Sequence, residues 1–187
     1  MNRNTQHFYV HDGLRGGDRV PRFDLPEGYH AVLWRPSGAE LRPPGFERHP
    51  FLMWGTMARL GLFAREGYGV FVVRRGRELA HYSCLLPKYQ RFPFMGPQDL
   101  QIASTHTAPS HRGRGLAKAA VSALIRSHPG VRFWYFASED NIASLRVIRA
   151  CGFEFAGAGY RSAPWGVKPL GRFVLDRPAS QVDDERA

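Results

Sequence analysis

Thr105-His106-Thr107-Ala108-Pro109-Ser110-His111-Arg112-Gly113-Arg114-Gly115-Leu116-Ala117 is the stretch on which the fold turns. Its first residues end a run, 100–107, rich in β-branched and small side chains, which predicts a strand. Its last residues open a run, 116–125, in which Leu116, Ala117, Ala120, Val121 and Leu124 share one helical face. Lys118, Ser122 and Arg126 lie off that face. A strand that passes through a glycine loop into a helix exposes successive backbone N–H groups at the helix N-terminus, where the dipole favours anions. Glycine adopts conformations barred to other residues and lets a phosphate approach the backbone closely. Arg112 and Arg114 add positive charge at the same place. The local physics predicts a pyrophosphate seat, against the plainer alternative of a glycine turn with two solvated arginines. A P-loop is excluded because it needs Gly-x-x-x-x-Gly-Lys-Ser/Thr, and a dinucleotide loop because Lys118 stands where the third glycine belongs.

Outward from this stretch the periodicity changes repeatedly. Residues 29–34 form a short apolar run after Pro26-Glu27-Gly28 and predict a strand. Residues 50–64 predict a helix opened by a proline. Its apolar residues, Phe51, Leu52, Met53, Trp54, Met57, Leu60, Leu62 and Phe63, cover nearly the whole surface, which suits core, a pocket lining or a homodimer interface. Runs 68–73 and 79–86 flank Arg74-Arg75-Gly76-Arg77 and read as a hairpin. A loop rich in Pro, Phe and Lys covers 87–98. Residues 131–137 are an aromatic strand, and Ile142, Leu145 and Ile148 mark a helix ended by Gly152. Strands over 153–158 and 172–175 complete the order β–α–β–β–β–α–β–α–β–β, an α/β sheet protein, antiparallel first and partly parallel later. Residues 1–22 are expected to be a flexible arm, 23–176 the folded domain and 177–187 a disordered tail.

A length of 187 residues suits one domain. An apolar fraction of 43% supplies a packed core and excludes wholesale disorder. No apolar run approaches the roughly 20 residues that cross a bilayer, and the first ten residues lack a signal-peptide core. The expectation is a soluble cytoplasmic protein with no membrane partner. Two cysteines, Cys84 and Cys151, make neither a disulfide framework nor a zinc site, and no metal is expected. The 26 basic residues, almost all arginine, against 16 acidic ones give a formal charge of +10 and invite an anionic partner. The charge is spread, without a basic block or an aromatic stacking platform, which disfavours nucleic acid.

Arg112-Gly113-Arg114-Gly115-Leu116-Ala117 resembles the Arg/Gln-x-x-Gly-x-Gly/Ala motif of the GCN5-related N-acetyltransferase (GNAT) superfamily. The preceding Thr107-x-Pro109-x-x-Arg112 is similar to the family's strand-to-loop entry. Glu139-Asp140-Asn141-Ile142-Ala143-Ser144-Leu145, running on to Cys151-Gly152-Phe153, resembles the family's Asn-x-x-(Ala/Ser) helix that ends in Gly-Phe. The resemblance covers about residues 29–176, most strongly 100–153. It implies a central mixed, mostly antiparallel sheet of about six to seven strands flanked by about four helices. It also implies acetyl-CoA as co-substrate, with Arg112, Gly113, Arg114, Gly115, Leu116 and Ala117 on its pyrophosphate. Thr105, His106 and Thr107 would pair with the pantetheine as an added strand does, and Asn141 and Ser144 would lie beside it. A helix N-cap is an equally natural role for Asn141.

The implied reaction is attack of a neutral amine on the thioester carbonyl, with the acceptor a small molecule or amino sugar. A protein N-terminal acetyltransferase, a non-catalytic coenzyme A sensor and a nucleic-acid-binding module are the alternatives. The position seven residues after Asn141, where many relatives place an acidic tyrosine, is Ile148. Ser144 is then the candidate acid, with Tyr160 behind it. Where relatives often carry a glutamate base, this chain has Gln101, Ser104 and Thr105, with Asp99 near the start. His106 is the candidate base, because histidine titrates near neutral pH, and His81 and Tyr82 could support a water wire. Phe51, Trp54, Met57, Leu60, Tyr160 and Trp165 would line the acceptor side.

Overall fold

The computed structural model describes residues 5–13, 20–46, 49–162 and 171–178. Among the described residues it contains eight strands and three α-helices: β1 (Gln6–Asp12), β2 (Tyr29–Trp34), α1 (His49–Arg59), β3 (Gly69–Arg75), β4 (Glu78–Pro87), β5 (Leu100–Thr107), α2 (Leu116–Arg126), β6 (Arg132–Ala137), α3 (Ile142–Ala150), β7 (Glu154–Arg161) and β8 (Phe173–Pro178). One 3₁₀ turn, Pro109–His111, precedes α2. The strands form a single sheet in the order β2-β3-β4-β5-β6-β1-β7-β8. Every neighbouring pair is antiparallel except β5 and β6. From β2 onward the element order is the one the periodicity predicts, with one helix fewer than the family resemblance implies.

The N-terminal segment departs from expectation. Gln6–Asp12, read from sequence as part of a mobile arm, is an inner strand between β6 and β7, with Phe8 opposite Phe136 on one side and Gly157 on the other. Phe8 is 1% exposed. Its partners lie more than a hundred residues away in sequence, so no local pattern announces them. At the other end β8 runs through Pro178, two residues into the expected tail; 179–187 lie outside the described residues.

Helix α1 stops at Arg59 rather than reaching residue 64. Gly61 takes a positive φ of 65°, its N–H bonds to the Ala58 carbonyl, and the Leu62 N–H bonds to the Met57 carbonyl at 2.9 Å. That pair of bonds is a Schellman cap, which closes the helix at glycine. Gly152 ends α3 as expected, with Gly152 N–H on Arg149 and Phe153 N–H on Ile148.

Strand alternation divides the core into two faces. Leu85, Ile102, Phe133 and Tyr135 pack under α2 and α3 with Val121, Leu124, Leu145 and Ile148. On the other face Tyr82, Cys84 and Leu86 meet Phe46, Phe51 and Trp54 of α1 and its approach. The 87–98 loop folds over the same face, placing Tyr89, Phe92 and Met95 against Phe8, Phe173, Trp134 and Phe136.

Candidate active site

Two strands that run side by side part company at the centre of the sheet. β5 and β6 are paired in parallel only at Leu100↔Phe133 and Gln101↔Trp134. Beyond Gln101 a bulge turns β5 away: its register on β4 shifts between Tyr82 and Cys84, and Ser104 adopts a φ of 48°. A bulge bends its strand and re-aims its side chains. The β6-facing backbone of β5 past Gln101 therefore has no ladder partner from β6, the condition under which an extended ligand can add as a strand.

β5 leads to the glycine loop. Gly113 and Gly115 have φ of 76° and 77°, and a Cβ at either would meet nothing within 4 Å. Gly115 is the N-cap of α2 and offers no side chain to the first-turn N–H groups, and that turn holds no acidic residue. The loop thus presents backbone donors and positive potential to open space, which fits a pyrophosphate. Arg112 is turned back, its Nε donating to the Thr107 carbonyl at 3.3 Å. The loop is pinned from below by His111, which is buried. Its Nδ1 lies 2.8 Å from the Tyr29 hydroxyl and its Nε2 3.1 Å from Glu78 Oε1. Neither His111 nor Tyr29 stands out in the sequence; the signal is a histidine inside a glycine-arginine loop that solvent would otherwise claim.

Across the gap stands α3. Asn141 is its N-cap, and its Oδ1 accepts from the Ser144 N–H at 3.1 Å. Half-buried Ser144 contacts the hydroxyl of Tyr135 on β6, and the same hydroxyl reaches Thr105 on β5. Tyr135 is not among the residues that the sequence singles out. It alternates with Phe133 and Ala137 in an aromatic strand and looks like core, and only its position on the α3 face marks it. Burial pushes the Tyr135 pKa upward, so its O–H keeps its proton through neutral pH. The polar contacts continue into β4. Thr105 Oγ1 accepts from Ser83 Oγ at 3.2 Å, Ser83 Oγ lies 2.9 Å from His81 Nε2, and His81 Nδ1 lies 2.8 Å from Thr107 Oγ1. Burial, with the nearby His106 adding to it, lowers the His81 pKa to about 4, so this imidazole is neutral.

The residues expected to act together are only partly brought together. Thr105, Thr107 and Ser144 share the α2–α3 face. His106 pairs with Tyr82 and its ring lies 5.4 Å from the Tyr82 ring, on the α1 face. The sheet separates it from Ser144. Asp99 is committed elsewhere, accepting from the Trp134 indole N–H at 2.7 Å and from the Gly96 N–H. Gln101 is 1% exposed, and its side-chain oxygen and nitrogen have no partner among the described residues. Tyr160 lies on β7, separated from β6 by β1. Phe51 and Trp54 are buried in the α1 cluster, Leu60 is exposed, and Trp165 lies outside the described residues.

Residues 29–153, more than half of the chain, match the model of the acetyltransferase (GNAT) family. Among curated proteins none matches the chain. Among solved structures, it resembles a tandem GNAT protein from the clavulanic acid biosynthesis pathway (TM-score 0.55, 20% identity, 83% of this chain and 51% of that one). It also resembles a Drosophila protein (0.54, 14%, 83% and 48%). A third is a putative acetyltransferase from Novosphingobium aromaticivorans (0.52, 16%, 84% and 62%). The chain spans about half to three fifths of the length of these structures, and at such identities the likeness is one of fold.

Proposed function

The chain belongs to the GNAT acetyltransferase family, and from that premise we propose that it transfers an acetyl group from acetyl-CoA to a primary amine of a small molecule or amino sugar. The observation that carries this reading is the parting of β5 from β6, with the open glycine loop at one end and the Thr105–Tyr135–Ser144 hydroxyls across it. The residues fit the coenzyme. The Arg112–Ala117 backbone and the Arg112 and Arg114 charges would hold its pyrophosphate, the edge of β5 at Thr105–Thr107 its pantetheine amides, and Asn141 and Ser144 would flank them. When bound, acetyl-CoA supplies an activated thioester.

The chain's own residues then have distinct tasks. Ser144 is oriented twice, by the Asn141 cap on its backbone and by Tyr135 on its hydroxyl. Burial keeps the proton on Tyr135, so the phenol serves as a fixed hydrogen-bond donor to the Ser144 hydroxyl, leaving the serine proton to stabilise a departing thiolate. Thr105 fixes the Tyr135 hydroxyl from the β5 side, and Ser83 and His81 fix Thr105. No carboxylate stands on β5 where many relatives have one, so the acceptor amine must arrive neutral or lose its proton to solvent.

The test is thiol release from acetyl-CoA over a panel of amino sugars, polyamines, amino acids and N-terminal peptides. Release with at least one small amine, rising with pH as the free amine fraction rises, is expected. Release with peptides alone would replace the small-molecule acceptor by a protein N-terminus, and release with none of the panel would overturn the reading.

A further inference from the structure

One group of arginines without ion-pair partners among the described residues lies away from the glycine loop. A cavity of about 580 Å³ opens beside the C-terminal end of α1, walled by the link that follows β2 and by the loop into β3. That volume falls within the range of small-molecule sites. Arg35, Arg59 and Arg65 line it from three separate segments, with one carboxylate, Glu66. Three positive charges less one negative leave an excess of two. None of the three guanidinium groups forms an ion pair among the described residues, where the ion pairs are His7–Glu139, Arg22–Asp24, His111–Glu78 and Arg132–Asp12.

Two of the arginines are held in place. Arg59 Nη1 donates to the Gly38 carbonyl at 2.8 Å, and Arg65 Nη1 donates to the Gln98 carbonyl at 2.9 Å while its Nε donates to the Glu66 carbonyl at 3.1 Å. These bonds fix the forks while leaving other N–H donors unspent, since each guanidinium carries five. The floor is apolar: Leu41, Ala58 and Phe63, with the Phe63 ring stacked on Tyr68 at 5.9 Å and 18°. Fixed, unpaired guanidinium groups above an aromatic floor are the complement of a planar anion carried on an apolar body.

The cavity is separate from the glycine loop. β3 begins at Gly69, beside the cavity, and pairs there with Leu85. The loop follows Thr107, which pairs with His81. His81 and Leu85 are four residues apart on β4, about 13 Å.

We propose that this cavity is a binding site for an organic anion, a carboxylate or phosphate group on a compact apolar body, held by Arg35, Arg59 and Arg65. The inference does not rest on the acyl-transfer reading. The test titrates the full chain with 3-phenylpropanoate, phenyl phosphate and the neutral 3-phenylpropanamide, followed by calorimetry. Saturable one-to-one binding of at least one anion, without binding of the amide, is expected, and the tighter of the two identifies the headgroup class. Arg59→Gln and Arg65→Gln should each weaken it about tenfold, the scale of one lost charge-assisted hydrogen bond, while Arg126→Gln, an equal change in net charge on α2, should leave it unchanged. Arg35→Gln, whose one side-chain hydrogen bond among the described residues is to His128 Nε2 at 3.3 Å, gives the same reading without touching the loop anchors. Absence of saturable anion binding, equal binding of the amide, or loss with Arg112→Gln but not with the cavity variants would each overturn the proposal.

Discussion

On the face of the sheet that carries α2 and α3, the centre holds hydroxyls and an imidazole: Thr105, Tyr135, Ser144, Ser83, His81 and Thr107. On the face under α1, the same strands present Tyr82, packed by Phe46 and Phe51, and Trp134 and Phe136, packed by Phe8, Phe92, Phe94 and Phe173, with ring centroids about 5 to 6 Å apart. Adjacent residues on one strand, such as Trp134 and Tyr135, belong to different chemistries because alternation sends them to opposite sides. The difference separates two kinds of sensitivity. Changes on the aromatic face should be felt as lost stability, and changes on the polar face as lost binding and turnover.

The largest expected effect is on the aromatic face. Phe8→Ala removes a buried ring from an inner strand and should cost about 3–5 kcal/mol in urea unfolding, while the folded fraction binds acetyl-CoA as before. A cost below about 1 kcal/mol would return residues 6–12 to the status of an arm. On the polar face, Tyr135→Phe should lower turnover about a hundredfold, the lower range for a positioned hydrogen-bond donor, with a stability loss of only about 1 kcal/mol. An unchanged rate would remove Tyr135 from the chemistry and break the contrast between the faces.

The third effect is a pH dependence. His81 is neutral in the fold, with its pKa lowered to about 4 from 6.5, so the unfolded chain binds more protons between these values. Its stabilising contribution is therefore complete above pH 6.5 and is lost as pH falls toward 4. Between pH 7 and pH 5 the loss should be about 2 kcal/mol, and His81→Gln should flatten that part of the denaturation profile. Arg112→Gln should have the smallest effect, weakening acetyl-CoA by only a few fold, since the backbone supplies most of the seat and this guanidinium is partly spent on the Thr107 carbonyl.

What could be read in the sequence was what local chemistry demands. A phosphate seat needs glycines at fixed positions before a helix, so Gly113 and Gly115 declare it, and the Asn141 cap and Gly152 stop are likewise local. Gly61 was equally visible, but the apolar run through Phe63 concealed the cap it makes. Residues 6–12 could not be placed because a strand between two others is defined by partners distant in sequence. The Thr105–Tyr135–Ser144 cluster comes from three elements, and its middle member sits in an aromatic strand that reads as core. The cavity arginines, likewise drawn from three segments, were visible only as part of a net charge of +10.

The glycine loop as coenzyme seat is the claim on which the rest depends, and titration of acetyl-CoA into the wild-type chain and Gly115→Glu tests it most directly. A Cβ at Gly115 meets no atom within 4 Å, so the substitution leaves the packing alone and costs about 1–2 kcal/mol for a side chain at positive φ. One-to-one binding by the wild type and none by a folded Gly115→Glu is expected. Equal affinity in the two proteins would contradict that claim.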